Sequence, residues 1–142
     1  MYRVRAVNPD DEDVCDTIVD LHKLCFGKSA PIEDPAKRGA WWVLYRGTEP
    51  VGFCGLLNTA YYRKTGYLAR VAILDKHRGR GLNRRLLKAC ERYARSVGWK
   101  AIVSDTTDNN PSANGFIREG YKLFTPTYPW SFKGALYWRK TL

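Results

Sequence analysis

Metal ligands and paired cysteines are scarce in this chain of 142 residues. Its cysteines form no C-x-x-C pair, and His22 and His77 are the only histidines that could complete a ligand set. Structural zinc sites use closely spaced cysteine and histidine pairs, so we expect no metal site. Scattered cysteines favour free thiols in a reducing cytoplasm over a disulfide framework. The four cysteines are Cys15, Cys25, Cys54 and Cys90.

Long apolar runs are also missing. No run approaches the ~18 residues of a membrane span, and residues 1–14 lack the apolar segment of a signal peptide. The chain has no internal repeat and no low-complexity segment. We therefore expect a cytoplasmic protein that does not bind membranes, and the length predicts one domain over residues 1–142.

Acidic residues are few where basic residues concentrate. Residues 63–100 hold twelve lysines and arginines but only two acids, Asp75 and Glu91, and so carry a net charge of +10. The other 104 residues carry no net charge, because the whole chain also has a net charge of +10. Such a local excess of one sign predicts a binding site for a polyanion.

Apolar periodicity and turn residues predict a mixed α/β fold. A proline-marked stretch through Pro31 and Pro35 could hold a short helix or a loop. The predicted strands are Tyr2–Val7, Ala40–Gly47, Val51–Thr59, Tyr67–Leu74, Lys100–Thr106, Tyr121–Phe124 and Gly134–Lys140. Three helices are predicted. The first begins within residues 8–14 and runs to about Cys25, and the other two cover Asn83–Val97 and Asn110–Gly120.

A basic, glycine-containing turn lies between the strand ending at Leu74 and the next helix. Residues 75–88 read DKHRGRGLNRRLLK. Glycines let the backbone approach a ligand, and the first N–H groups of a helix point at it without intrahelical partners. The turn lacks the third glycine and βαβ context of a dinucleotide site and the GxxxxGK[ST] of a P-loop. It therefore predicts a different kind of diphosphate site.

The segment Arg78–Asn83 resembles the acyl-coenzyme-A-binding motif R-x-x-G-x-G/A of the GNAT superfamily of N-acetyltransferases. Asn109–Ser112 and Phe116–Phe124 are similar to that family's N-x-x-[AS] helix and its terminal G-[FY] strand. The resemblance implies a single acyl-CoA N-acyltransferase domain over residues 1–142. It also implies a mostly antiparallel sheet of six to seven strands, with helices on both faces and a splay between the strands at 67–74 and 100–106.

The resemblance implies acetyl-CoA as co-substrate and assigns its contacts position by position. The turn would hold the diphosphate, and Arg84, Arg85 or Lys88 would meet the outer phosphate. Asn83 stands where the family usually has Gly or Ala, and we expect it to act as the helix N-cap. The implied acetyl-CoA contacts are Val71, Ala72, Ile73, Arg78, Gly79, Arg80, Gly81, Leu82, Asn83, Arg84, Asn109, Ser112 and Phe116.

The usual catalytic pair of the family is missing. Ala69 matches the position of its glutamate base, and Phe116 matches that of its tyrosine acid, yet neither side chain can transfer a proton. Asp105 and Tyr128 are the replacement candidates. Trp41, Trp42, Tyr128 and Trp130 could line an acceptor pocket.

The resemblance implies an acetyl-CoA-dependent N-acetyltransferase, whose acceptor amine attacks directly in a ternary complex. Without a dedicated base, a weakly basic α-amine should react in preference to a lysine side chain. The acceptor could be a small molecule, a peptide or an aminoacyl amine, including one carried on a nucleic acid, and the protein could be a monomer or a homodimer. Two alternatives remain: a catalytically silent acyl-CoA sensor and a basic nucleic-acid-binding module.

Overall fold

A computed structural model describes residues 1–27, 39–59 and 61–142. The short helix or loop predicted around Pro31 and Pro35 lies outside these residues. The strands are β1 (Tyr2–Val7), β2 (Ala40–Arg46), β3 (Glu49–Asn58), β4 (Thr65–Ile73), β5 (Ala101–Thr106), β6 (Lys122–Leu123) and β7 (Leu136–Thr141). The helices are α1 (Glu12–Phe26), α2 (Leu82–Ser96) and α3 (Asn110–Arg118), and a 3-10 turn covers Asp75–His77.

The strands form one sheet in the order β1-β2-β3-β4-β5-β7-β6. Neighbouring strands are antiparallel throughout, except that β4 and β5 run parallel. The predicted mixed fold with a seven-stranded, mostly antiparallel sheet is therefore confirmed.

The parallel pair β4/β5 is short. Thr65, Gly66 and Tyr67 pair with residues 101–103, and the ladder then stops. The remainder of β4 keeps only its β3 partner, so its other edge presents backbone N–H and C=O groups that β5 does not satisfy. The predicted splay between these two strands is confirmed.

Helix α1 covers one face of the sheet. Its N-cap is Asp11, whose side chain accepts a hydrogen bond from the backbone N–H of Asp13, and acids occupy the first turn. Ile18 and Leu21 are buried against β2 and β3. Leu24 is 72% exposed, so the apolar face of α1 turns toward Cys25 instead.

Helix α2 covers the opposite face. Leu86, Leu87, Cys90 and Ala94 are buried in a core cluster that also contains residues of β2, β3, β4 and α3. The Sγ atoms of Cys54 and Cys90 lie 3.3 Å apart where α2 meets β3, and none of the four cysteines forms a disulfide. Helices thus lie on both faces, as predicted.

A buried ion pair joins α2, α3 and β7. Glu91 of α2 is fully buried, and its Oε1 accepts a hydrogen bond from the Nζ of Lys140, 3.0 Å away. The same Nζ donates to the backbone carbonyl of Glu119, just after α3, and Lys88 lies 3.6 Å from Glu91. This pair holds the two helices at a fixed separation, because both meet one ammonium group.

Replacement of Lys140 by Met should lower the free energy of unfolding by about 3 kcal/mol, because it leaves the Glu91 carboxylate buried beside a single remaining lysine. The matched control is Lys133→Met, which removes an exposed lysine. Urea unfolding followed by circular dichroism measures both. A loss below about 0.5 kcal/mol, typical of surface substitutions, would contradict the structural role of this pair.

Candidate functional site

A cleft of about 440 Å³ opens beside residues 71–73 of β4, which lie beyond the end of the β4/β5 ladder. Its walls are the second half of β4, the turn into α2, helix α3 and the end of α1. Nearly all of the predicted acetyl-CoA contacts line it. These lining residues are Val71, Ala72, Ile73, Arg78, Gly79, Gly81, Leu82, Asn83, Arg84, Asn109, Ser112 and Phe116. Arg80, Asp105 and Tyr128 are not among the lining residues.

The turn at the cleft depends on two glycines in the left-handed region. Gly79 has φ +78° and Gly81 has φ +72°. A Cβ atom at either position would meet no atom within 4 Å, so the glycines are required by backbone conformation and not by crowding. The space above the turn is open, which allows a ligand to approach the backbone.

The N-terminus of α2 has no side-chain cap. Gly81 is the N-cap residue, and no side-chain capping hydrogen bond is formed there by the described part of the chain. The N-cap role predicted for Asn83 is therefore wrong, because Asn83 lies inside the helix, where its amide nitrogen faces Gly115 of α3. The free N–H groups and the helix dipole make this terminus suited to an anion.

Basic side chains surround the turn in defined positions. Arg78 donates to the carbonyl of Ile73 and lies 3.1 Å from Asp75. Arg84 is two-thirds exposed and lies 3.5 Å from Glu119. Arg85 donates instead to the carbonyl of Tyr2, away from the cleft. Of the three residues considered for an outer phosphate, only Arg84 lines the cleft.

His77 also lines the cleft, although no role in the site was predicted for it. It is 3% exposed, and its Nδ1 lies 2.8 Å from the hydroxyl of Tyr2. Its buried Nε2 has no hydrogen-bond partner among the residues that the structure describes. An unpaired buried polar atom costs about 1–3 kcal/mol. A ligand with polar atoms, such as a diphosphate, therefore fits the lining. The position of His77 inside the basic turn was the only signal in the sequence.

Helix α3 forms the far wall. Its N-cap is Asn109, whose side chain accepts a hydrogen bond from the backbone N–H of Ser112 at 3.1 Å. Phe116 is buried, with its ring 4.9 Å from Tyr121 and 5.9 Å from Trp138 between centroids. This wall offers hydrogen-bonding groups at its start and an apolar ring farther along.

The β4 side of the cleft contains a β-bulge at Ala69. Arg70 pairs with Gly55 and Leu68 with Leu56, so Ala69 is the extra residue. Bulged residues leave the ladder, and their backbone groups become available to a ligand. Arg70 donates to the carbonyl of Ala69 and to Nε2 of His22. Burial, and then the charge of Arg70, lower the pKa of His22, which favours a neutral structural histidine.

Two cleft residues of α1 were not recognised in the sequence. Cys25 and Phe26 line the cleft from the side opposite α3. The Phe26 ring lies under the guanidinium of Arg70, 5.7 Å from its centroid. Burial raises the pKa of the Cys25 thiol, and the charge of Arg78 partly opposes that rise. The helical pattern had identified Cys25 only as an apolar-face residue.

Asp105 lies in β5 just beyond the end of the β4/β5 ladder. Its Oδ1 accepts hydrogen bonds from the Tyr67 hydroxyl at 2.8 Å and from Nε1 of Trp130 at 2.9 Å. Burial, and then the charge of Asp105, raise the pKa of Tyr67, so this phenol keeps its proton. Tyr128 is 62% exposed, and its ring lies 6.2 Å from that of Tyr61.

The tryptophans predicted to line an acceptor pocket divide into two groups. Trp41 and Trp42 are 3% and 6% exposed and belong to the core clusters on opposite faces of the sheet, so their predicted pocket role is wrong. Alternation along β2 explains this, since neighbouring side chains point to opposite faces and both faces carry helices. Trp130, in contrast, is in neither core cluster and lies beside Asp105.

Within residues 1–27, 39–59 and 61–142, no cluster of three or more His, Cys, Asp or Glu side chains is placed to hold a metal ion. No helix in these same ranges is both long and apolar enough to cross a membrane.

Comparison with known proteins gives a family match. The model of the acetyltransferase (GNAT) family matches residues 11–121. The N-acetyltransferase 8F1 of Rattus norvegicus is 27% identical over an alignment of 96 residues, which covers 61% of this chain and 43% of that protein. The chain therefore spans less than half the length of this curated relative.

Solved structures share the fold over the whole chain. An acetyltransferase from Streptococcus agalactiae has a TM-score of 0.79 at 21% identity, covering 99% of this chain and 98% of its own. The PaiA N-acetyltransferase from Thermoplasma acidophilum, solved in complex with coenzyme A, has a TM-score of 0.77 at 11% identity, covering 100% and 99%. The family match over residues 11–121 and this shared fold together show that the chain belongs to the GNAT family of acetyltransferases.

Proposed function

We propose that this chain is an acetyl-CoA-dependent N-acetyltransferase, which transfers an acetyl group to a primary amine. The observation that carries the proposal is the junction of three features in one cleft. Gly79 and Gly81 form an open turn at positive φ, the N-terminus of α2 has no side-chain cap, and the edge of β4 is left unpaired beside them. A diphosphate with an extended amide-containing arm is complementary to this combination.

Different residues of the cleft would bind different parts of acetyl-CoA. Backbone N–H groups of residues 79–84 and the side chains of Arg78 and Arg84 would hold the phosphates, with Arg80 at the rim. Residues 71–73 would pair with the pantetheine amides as an added strand would. Asn109 and Ser112 would contact the arm from α3. Acetyl-CoA would supply an activated thioester, and the bulge at Ala69 leaves backbone donors for its carbonyl oxygen.

Positioning would supply most of the catalysis, with both substrates bound together and the amine attacking directly. Ala69 cannot remove a proton, and Phe116 cannot donate one to the departing thiolate. A thiolate with a pKa near 8.5 leaves at a disadvantage of about 2 kcal/mol at pH 7, which is tolerable. The amine must lose its proton to solvent, and that cost is about 1 kcal/mol for an α-amine but about 4.6 kcal/mol for a lysine side chain. We therefore propose a weakly basic amine as the acceptor.

The absence of proton-transfer groups at Ala69 and Phe116 also keeps a second function open, namely a sensor that binds acyl-CoA without turnover. Binding of acetyl-CoA with no acetylation of any amine would favour the sensor.

Replacement of Gly81 by Val should abolish acetyl-CoA binding in calorimetry, because a β-branched residue cannot hold φ +72° and the turn must change shape. Gly98→Val is the matched control, since Gly98 also has positive φ, +83°, and open space, but lies beyond the far end of α2. Both variants should lose similar stability, and only Gly81→Val should lose affinity. Equal affinities in two folded variants would refute the diphosphate assignment.

Coenzyme A should slow alkylation of Cys25 by iodoacetamide, because Cys25 lines the cleft. Cys15 is an internal control on the same helix, partly exposed and outside the lining, and Cys54 and Cys90 are fully buried. Peptide mass spectrometry follows each thiol separately. Protection of Cys25 at least tenfold above that of Cys15 is expected, and equal rates with and without saturating coenzyme A would contradict the cleft as its binding site.

Matched peptides that offer either an α-amine or a lysine ε-amine should differ in kcat/KM in a pH-dependent manner. From ionisation alone, the α-amine should be favoured about 400-fold near pH 7, falling to about 10-fold near pH 9.5 as lysine deprotonates. Steady-state rates from pH 6.5 to 9.5 measure this ratio. Efficient lysine acetylation near pH 7 would overturn the weakly basic acceptor.

A further inference from the structure

A cluster of aromatic rings lies beside Asp105 on the α1 face of the sheet. Trp130 is its centre, and its indole donates to Asp105 Oδ1 at 2.9 Å. Within 6.3 Å of the Trp130 ring, measured between centroids, lie the rings of Tyr61, Tyr62, Tyr67, Phe124 and Tyr137. The cluster stands at the vertex of the splay, because Tyr67 is the last β4 residue of the ladder and also donates to Asp105.

The Asp105 carboxylate is held in place but not neutralised. Both recorded donors, Tyr67 and Trp130, are uncharged and share Oδ1. Across the part of the chain that the structure describes, Asp105 forms no ion pair and Oδ2 has no recorded donor. An asparagine would accept the same two hydrogen bonds. The negative charge therefore has no structural use in this arrangement, and it complements a cation.

The outer rim of the cluster is apolar and open. Tyr61 is 53% exposed and Tyr128 is 62% exposed, and the two rings contact one another. Tyr61 also stacks on Trp130, so the exposed rings continue inward to the residue that holds Asp105. Contiguous exposed aromatic surface of this kind marks a ligand site more often than isolated exposed rings do.

We infer that Asp105 and the rings of Tyr61, Tyr128 and Trp130 form the acceptor subsite, and that it takes a monoamine carried on an aromatic body. The ammonium group binds Oδ2 of Asp105, and the aromatic faces beside it add cation–π attraction. The body of the acceptor stacks on the exposed rings. This inference rests on the proposed acetyl transfer, since it places the amine beside the slot where the thioester would lie.

Asp105 acts in this step through its charge. The amine gives a proton to solvent, its nitrogen bonds to the acyl carbon as the C–S bond breaks, and the nitrogen becomes positive until it loses a second proton. A fixed carboxylate stabilises that positive charge. It also repels acceptors whose amine adjoins an anionic group, while the +10 charge of the chain disfavours polycations.

The test compares phenylalaninamide, which has an α-amine and a ring, with alaninamide, which has the amine alone. Wild-type kcat/KM should be at least about tenfold higher for phenylalaninamide, as expected from burial of an aromatic side chain. Tyr128→Ala should reduce this preference, whereas Tyr128→Phe should retain it because the ring remains. Equal reductions in the two variants would instead assign the effect to the hydroxyl and contradict the stacking role.

Asp105→Asn should lower kcat/KM for phenylalaninamide about 10- to 100-fold, the range for loss of a charged hydrogen bond. Asp108→Asn, which alters an exposed carboxylate three residues away, is the matched control and should change it less than twofold. Inhibition by 3-phenylpropanamide, which has the same body without the amine, should be unchanged in Asp105→Asn. A structural defect would weaken this inhibitor as well.

Acetyl-CoA binding by calorimetry keeps the two proposals separate. Failure of the wild type to bind acetyl-CoA would refute the proposed function itself. If acetyl-CoA binds and Asp105→Asn behaves like Asp108→Asn, the acceptor subsite is wrong and the proposed function stands. If phenylalaninamide is neither acetylated nor bound in a tryptophan fluorescence titration, the substrate class is wrong.

Discussion

The separation of β4 from β5 is the constraint on which the rest of the structure depends. Two parallel strands that share three ladder positions and then diverge leave one strand with an unpaired edge inside the fold. Unpaired buried backbone groups are costly, so such a gap persists only where a ligand or solvent satisfies them. At the vertex, the Ser104 hydroxyl donates to the carbonyl of Leu68 at 2.8 Å and terminates the ladder with a side chain.

The gap stays open because the elements on either side are fixed from behind. Helix α2 packs on β3 and β4, while α3 packs beside β5 and β7, and Lys140 joins Glu91 of α2 to the end of α3. On the other face, α1 is anchored by Ile18 and Leu21 and brings Phe26 to the cleft. The geometry of the slot is therefore a property of the whole sheet and its three helices, and no single loop determines it.

The sequence predicted the parts of the site that depend on local chemistry. The glycine-containing turn between β4 and α2 and the Asn–Pro start of α3 are each encoded within a few residues, and the sequence predicted both. The N-cap of α3, Asn109, was predicted only as a ligand contact. Contacts between distant segments were not predictable in this way. The contact between His77 and Tyr2 joins residues that are 75 positions apart. The hydrogen bonds to Asp105 come from Tyr67, 38 positions away, and from Trp130, 25 positions away. The predicted N-cap at Asn83 failed for a related reason: a left-handed glycine can begin a helix without any side chain.

Charge divides the site into two regions of opposite character. Around the cleft mouth, Arg78 and Arg84 belong to the segment that carries all of the chain's excess positive charge, which suits a phosphate-bearing substrate. At the vertex of the splay the single carboxylate of Asp105 is set among aromatic rings, where the reduced dielectric strengthens its attraction for a cation. The proposed acetyl transfer would need this division, because its anionic donor and its amine acceptor would each have to bind without occupying the other's place. Under the proposed function, the uncharged side chains of Ala69 and Phe116 would add no charge to oppose that of either substrate, so the charges of the two regions would act on them unopposed.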